Sequence, residues 1–180
     1  MNKKKIFYQD QYYNFFKRLK TFFLYPEKKL VYLFRKAQYY IHSKNLIMKY
    51  YWSLKWLLIR KKGCQISHKA QIGSGLTLLH NGLRIIVGKA KIGTDCTIGV
   101  NVIIGLGYNK EQNQYMAPII GNKVYIGHNS SIVGGITIGD NVLVAPNSYI
   151  NKNVPNDCIV LGNNIIIPKA NASEKYLKIA

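Results

Sequence analysis

At 180 residues with 48% apolar content, the chain has room for one ordinary domain around a buried core and is not disordered by composition. Twenty-six Lys and Arg against seven acids give a formal charge of +19, far beyond what solubility needs, and favour phosphate-bearing partners. Cys64, Cys96 and Cys158 are odd in number and widely spaced, which excludes a disulfide framework and a CxxC metal site and leaves reduced, packed thiols.

The first segment, residues 1–62, holds sixteen of the basic residues, two acids (Asp10 and Glu27) and seventeen of the twenty-two aromatics, but no glycine. Its opening run MNKKKIFYQDQYYNFF has the bases of a signal peptide without the apolar stretch that should follow. Phe15, Phe16, Leu19, Phe22 and Phe23 recur at helical spacing before Pro26. Leu30, Leu33, Phe34, Ala37, Tyr40 and Ile41 predict a second helix, and Ile47, Tyr50, Tyr51, Leu54 and Leu58 a third. The most apolar helical stretch, Tyr50–Ile59, is interrupted by Lys55 and too short to span a bilayer, so a cytoplasmic, reducing location is expected.

All fifteen glycines follow residue 62, and a repeat begins there. Aliphatic residues recur every six positions: Ile66, Ile72, Leu78; Ile86, Ile92, Ile98, Ile104; then Ile120, Ile126, Ile132, Ile138, Val144, Ile150. Glycine follows directly at 73, 93, 99, 105, 121, 127 and 139. Six is the period of a hexapeptide β-helix, in which three short strands make one triangular coil and the aliphatic residue points into the prism. The glycine phase predicts a corner where a Cβ would crowd the turn, and Gly75, Thr97, Ser130, Thr137 and Ser148 are expected to complete the turns. Residues 63–170 are read as this mainly β domain and 171–180 as a tail. Two breaks interrupt the period. The step from Leu78 to Ile86 contains His80, and the step from Ile104 to Ile120 implies a loop of about 105–118 ejected from the coil.

In sequence order, AQIGSG, LHNGLRIIVG, KIG, VIIG, APIIG, VYIG, IGDNV and NVP followed by VLGN resemble the hexapeptide-repeat acyltransferases, in the branch similar to serine acetyltransferase. The resemblance covers Ile66 to about Lys169. It implies a left-handed parallel β-helix, a homotrimer or a dimer of trimers, and acetyl-coenzyme A as co-substrate, with no metal. The catalytic role carries over to His80 as general base, since a neutral imidazole takes the proton of a hydroxyl attacking the thioester. Gln65 falls where the family has an acid orienting that histidine, Asn81 lies beside it, and backbone N–H groups near Gly105 or Gly107 are candidates for the oxyanion. Coenzyme contacts carry over to Gly127, Ser130, Ala145, Pro146 and Lys152, with Lys169 a substitute for a missing phosphate contact.

The chain departs from serine acetyltransferases where they hold the amino-acid substrate. Leu79 replaces an acid, and Met116-Ala117-Pro118 replaces Arg-His-Pro. A sugar hydroxyl of a surface polysaccharide or its precursor is therefore the expected acceptor. The alternatives are N-acetylation of a nucleotide-linked amino sugar, serine O-acetylation, and a non-catalytic trimeric scaffold. The basic, aromatic segment suits peripheral contact with the anionic inner face of a membrane, or simple packing onto the coils. No nucleic-acid recognition motif accompanies the charge. His42 and His68 read as surface residues, while His128 borders the expected coenzyme groove. The related γ-type carbonic anhydrases need two histidines five residues apart, whereas the gaps from His68 to His80 to His128 are 12 and 48, which argues against zinc.

Overall fold

The computed structural model describes residues 26–41, 43–60, 63–82, 84–109 and 113–177. The helix expected around Phe15–Phe23 lies outside these residues.

From Gln65 onward the chain winds into a three-faced prism of strands two to four residues long, numbered β1–β17 along the chain. The first face stacks β1 (Gln65–Ile66), β4 (Ile86–Val87), β7 (Ile103–Gly105), β12 (Ser131–Val133) and β15 (Tyr149–Ile150). The second stacks β2 (Gln71–Ile72), β5 (Lys91–Ile92), β10 (Ile119–Ile120) and β13 (Thr137–Ile138). On the third lie β3 (Thr77–Leu78), β6 (Thr97–Ile98), β11 (Tyr125–Ile126), β14 (Leu143–Val144) and β16 (Cys158–Leu161). All these pairings are parallel, because each strand bonds to its equivalent one coil away; β17 (Ile165–Pro168) alone pairs antiparallel, with β16. The two strands β8 (Gly107–Asn109) and β9 (Gln114–Met116) form a separate antiparallel ribbon outside the faces.

Two side chains in each six-residue step point inward: the repeating aliphatic residue and the one two positions before it. Ile98, Ile104, Ile126, Ile132, Ile138, Val144 and Ile150 are fully buried, and Val102, Val124 and Val142 fill the second column. Ser130 and Ser148 belong to that second column and are buried, so they do not complete turns as expected. The turn residue is instead the third after the aliphatic one. Asp95, Asn101, Lys123, Asn129, Asn141 and Asn147 all hold φ between 52° and 59°, a left-handed conformation that Asn and Asp tolerate best.

At one step the inward position is not the expected Ile86. Ile86 is 41% exposed and pairs with Gln65, whereas Val87 is buried and pairs with Ile66 and Ile104. The inward position is Val87, and Gly88 after it keeps the glycine phase. The glycine corners are not alike either. A Cβ on Gly93 would lie 2.5 Å from the Gly121 carbonyl oxygen, but one on Gly105 would meet nothing closer than 3.8 Å. Crowding therefore explains Gly93 and not Gly105.

Helix α1 (Pro26–Tyr40) lies across the open end of the prism. A first coil exposes carbonyls that no earlier coil can bond, a hazard for any sheet edge. Buried Arg35 donates to the carbonyl oxygens of Ile72 (2.8 Å) and Gly73, and Gln38 Nε2 donates to that of Ala70 at 2.7 Å. Phe34, Val31 and Ala37 bury the apolar side of the helix in the same core. Replacing Arg35 with alanine is expected to cost about 2–3 kcal/mol, the worth of charge-assisted bonds to buried acceptors, read from urea unfolding midpoints.

Helix α2 (Leu46–Arg60) follows after a short turn in which the Asn45 side chain accepts the Met48 N–H at 3.1 Å. Its helical period is as expected, but the stripe Ile47, Tyr50, Tyr51, Leu54 and Leu58 faces outward. Trp56, buried, packs on Phe34 at 5.4 Å, and Trp52 stacks on Tyr40 at 6.0 Å. The larger indoles take the interface with α1, and the aliphatic side is left bare.

All three cysteines are free and buried in the prism. Burial pushes the thiols of Cys64 and Cys96 up from 9.0 to about 11 and raises that of Cys158 as well. Since the folded state binds these protons more tightly, their contribution to stability is lost as pH climbs from about 9 toward 11. At pH 8, alkylation by iodoacetamide is expected to proceed only after denaturant is added, monitored by mass spectrometry; modification of the native protein would contradict their burial.

Candidate active site

Leaving the third face, each coil turns toward the next coil's first face, and this corner carries Leu79-His80, Gly99-Val100, Gly127-His128 and Ala145-Pro146 in successive coils. The first of these turns is the long one. Leu79–Gly82 form a short 3-10 turn, and the chain needs nine residues to pass from Leu78 to Val87. The surplus lifts His80 out of the coil, where it is exposed with φ at +47°.

The His80 ring lies against the ring of His128, with centroids 5.5 Å apart and planes tilted by 38°. The coil between them carries Gly99-Val100 at this corner, and a Cβ on Gly99 would lie 2.8 Å from the His128 backbone nitrogen. His128 is itself anchored: the Val100 N–H donates to its Nδ1 at 2.9 Å. With that lone pair occupied, the proton of the neutral ring sits on Nε2. Both histidines stand two residues after an inward residue of the third face, Leu78 and Ile126, and that shared phase was the signal that pairs them.

Other expected residues lie at various distances along the fold. Gly127, Ala145 and Pro146 share the histidine corner in the next coils, and together with Gly99 leave a shelf with little side-chain bulk. Ser130 is fully buried and its hydroxyl donates to the Ala145 carbonyl oxygen at 3.1 Å, so its side chain belongs to the prism. Gln65 is exposed on the first face, and no hydrogen bond joins it to His80 among the described residues. Asn81 continues the 3-10 turn beside His80. Gly105 and Gly107 lie one corner away, between the first and second faces, where the Gly134 N–H donates to the Gly105 carbonyl oxygen at 3.3 Å. Lys152 and Lys169 are exposed toward the last coil. His68 is exposed where the chain leaves the first face, two coils before Gly105, and His42 lies outside the described residues. Among the described residues no group of three or more His, Cys, Asp or Glu is gathered as for a metal ion.

A triangular coil of six-residue steps, each face a stack of parallel strands, makes this chain a left-handed parallel β-helix. Residues 117–152 match the model of the bacterial transferase hexapeptide (six repeats), and residues 89–107 that of the hexapeptide repeat of succinyl-transferase. The chain thus resembles hexapeptide-repeat transferases on both sides of the ejected loop. It is 40% identical over 89 residues, 49% of this chain and 19% of the relative, to the bifunctional protein GlmU of Streptococcus mutans. A serine acetyltransferase of Synechococcus elongatus is 33% identical over 101 residues, 56% of this chain and 40% of that protein. The chain thus spans less than half the length of these curated relatives. Among solved structures, a serine O-acetyltransferase from Brucella melitensis superposes with a TM-score of 0.67 at 25% identity, over 93% of this chain and 68% of the other.

Proposed function

We propose that the protein transfers an acetyl group from acetyl-coenzyme A to a sugar hydroxyl of a surface polysaccharide or its precursor, with His80 as general base. The observation that carries this reading is the exposed His80 imidazole, lifted from the coil at the head of a low, Gly- and Ala-lined corner. Acetyltransferase relatives support the reaction type. In the proposed step, His80 takes the hydroxyl proton as the oxygen attacks the thioester carbonyl, and the resulting imidazolium returns it to the leaving thiolate. The shelf at Gly127, Ala145 and Pro146 leaves room for an extended pantetheine arm, and Lys152 and Lys169 supply positive charge for its phosphates.

Leu79 and Met116 disfavour serine as acceptor, because neither can pair with an amino-acid zwitterion. Released thiol should therefore rise with acetyl-coenzyme A plus a saccharide or nucleotide sugar, and not with serine; turnover with serine alone would refute the acceptor assignment.

A homotrimer is part of the proposal, supported by the exposed apolar column Ile86, Ile103 and Tyr149 on the outside of the first face. Peripheral association with an anionic membrane is the second part. No described helix is long and apolar enough to cross a bilayer. On α2, however, Ile47 is 82% exposed and Tyr50 70%, with Leu54 and Leu58 beside them and Lys49 and Lys55 on the same helix. Bare apolar residues interleaved with lysine suit a headgroup layer. At about 1 kcal/mol per cation, the Lys49→Gln/Lys55→Gln pair should weaken binding to phosphatidylglycerol vesicles about thirtyfold in a sedimentation assay. Equal binding by wild type and double variant would remove this part.

A further inference from the structure

We propose that His128 is a second catalytic residue, whose Nε2–H binds the thioester carbonyl oxygen as it becomes the oxyanion. This rests on the reading of His80 as base.

At three other turns of the prism a different side chain does what the His128 ring does here. At the corner between the second and third faces, the residue two after the inward aliphatic one accepts a backbone N–H from the preceding coil. Asn122 Oδ1 accepts from Thr94 at 2.9 Å, Asp140 Oδ1 from Asn122 at 2.6 Å, and Asn156 Oδ1 from Asp140 at 2.8 Å. His128 stands in the same phase and accepts from Val100 at 2.9 Å. An amide or carboxylate oxygen fills this role at the other three turns, so the coil itself does not call for an imidazole. What the imidazole adds is a second nitrogen.

That nitrogen is a donor. Because the Val100 N–H occupies Nδ1, the neutral ring presents Nε2–H and nothing else polar. It is presented next to His80, 5.5 Å away between centroids. A hydrogen bond donated into His80 would consume the lone pair the base needs. The productive partner is therefore the substrate oxygen lying beside both rings.

The electron bookkeeping closes on these two side chains. The acceptor oxygen forms its bond to the acyl carbon as His80 takes its proton. The carbonyl π pair moves to oxygen and is held by His128 Nε2–H. Collapse re-forms C=O, breaks the C–S bond, and the thiolate takes the proton from His80. His128 gives up no proton. The backbone donors expected at Gly105 and Gly107 lie one corner away within the chain, which leaves this corner in want of a donor.

The test uses the full chain and acetyl-coenzyme A with water as acceptor, read as released thiol, so that no sugar need be identified. His128→Asn keeps an acceptor for Val100 and removes the second nitrogen. Its kcat should fall about a hundredfold, the effect of losing one oxyanion donor, with KM for acetyl-coenzyme A within twofold and an unchanged Tm. His128→Gln places an amide N–H near the lost Nε2–H and should recover about tenfold. A His128→Asn rate within threefold of wild type overturns the proposal and leaves His128 a turn acceptor. Equal losses in both variants with a lowered Tm overturn it too. If His128→Asn is slow while a His80 variant keeps its rate, the donor stands and the base assignment falls. The opposite pattern leaves the base and removes the donor.

Discussion

Replacing His80 with asparagine is expected to reduce acetyl transfer by a factor of about 10² to 10⁴, the usual worth of a positioned general base. Asparagine is the informative substitute for two reasons. His80 holds φ at +47°, a conformation asparagine accepts and alanine resists, so the backbone strain stays as it was. An amide oxygen also cannot take a proton at neutral pH. The side chain is exposed and outside the prism core, so the melting temperature should not move. Released thiol measured at saturating acetyl-coenzyme A, beside a thermal melt, separates chemistry from folding. A variant that turns over within about threefold of wild type would displace His80 from the reaction and hand the base role to another group.

The second large effect concerns the prism. Ile126→Ala is expected to cost about 2–5 kcal/mol. Ile126 is fully buried in a central coil and stacks between Ile98 and Val144 on the third face. Its neighbours are backbone-tethered on both sides, which limits collapse into the void, and cavities that cannot relax cost most. Ile165→Ala is the matched control: that residue is 58% exposed on the terminal strand and should shift stability by about 0.5 kcal/mol or less. Denaturant midpoints at fixed protein concentration would decide it, and equal effects at the two positions would mean that the inward column is not what holds the coils together.

The period of six was readable because it records a single geometric fact, one inward aliphatic residue per strand. Phase was harder to read. Ile85, Ile86 and Val87 are three aliphatics in a row, and Ile85 and Val87 both point inward around the exposed Ile86. Only Gly88 marked which of them ended the strand. Helix α2 shows the same limit in another form. Its spacing announced a helix, but period says nothing of which side meets a partner, and Trp52 and Trp56 outcompeted the aliphatic stripe for α1. Arg35 left no sequence signal, since its partners lie 37 and 38 residues away and are backbone carbonyls. At the site, His80 was legible from its motif and from the broken period. Its neighbour was not, because the pairing needs two residues 48 apart to be counted on one helical clock.

The stacked coils give the molecule a built-in length scale. A turn of the prism takes eighteen residues where the repeat is regular, as from Ile120 to Ile138, and advances the chain along the axis by one inter-strand spacing, about 4.8 Å. Both ends are closed, one by Arg35 and Gln38 on α1, the other by the antiparallel hairpin β16–β17, so additions at either end have nothing to stack on. Additions in the middle are a different matter. Duplicating residues 133–150 would lengthen the prism beyond His128 by a coil without disturbing the two imidazoles in the interior. An eighteen-residue coil placed between Val100 and His128 would part them by a full spacing. The fold therefore behaves as a ruler whose graduations can be added singly, and the distance between two groups at one corner is written in the chain as a number of turns.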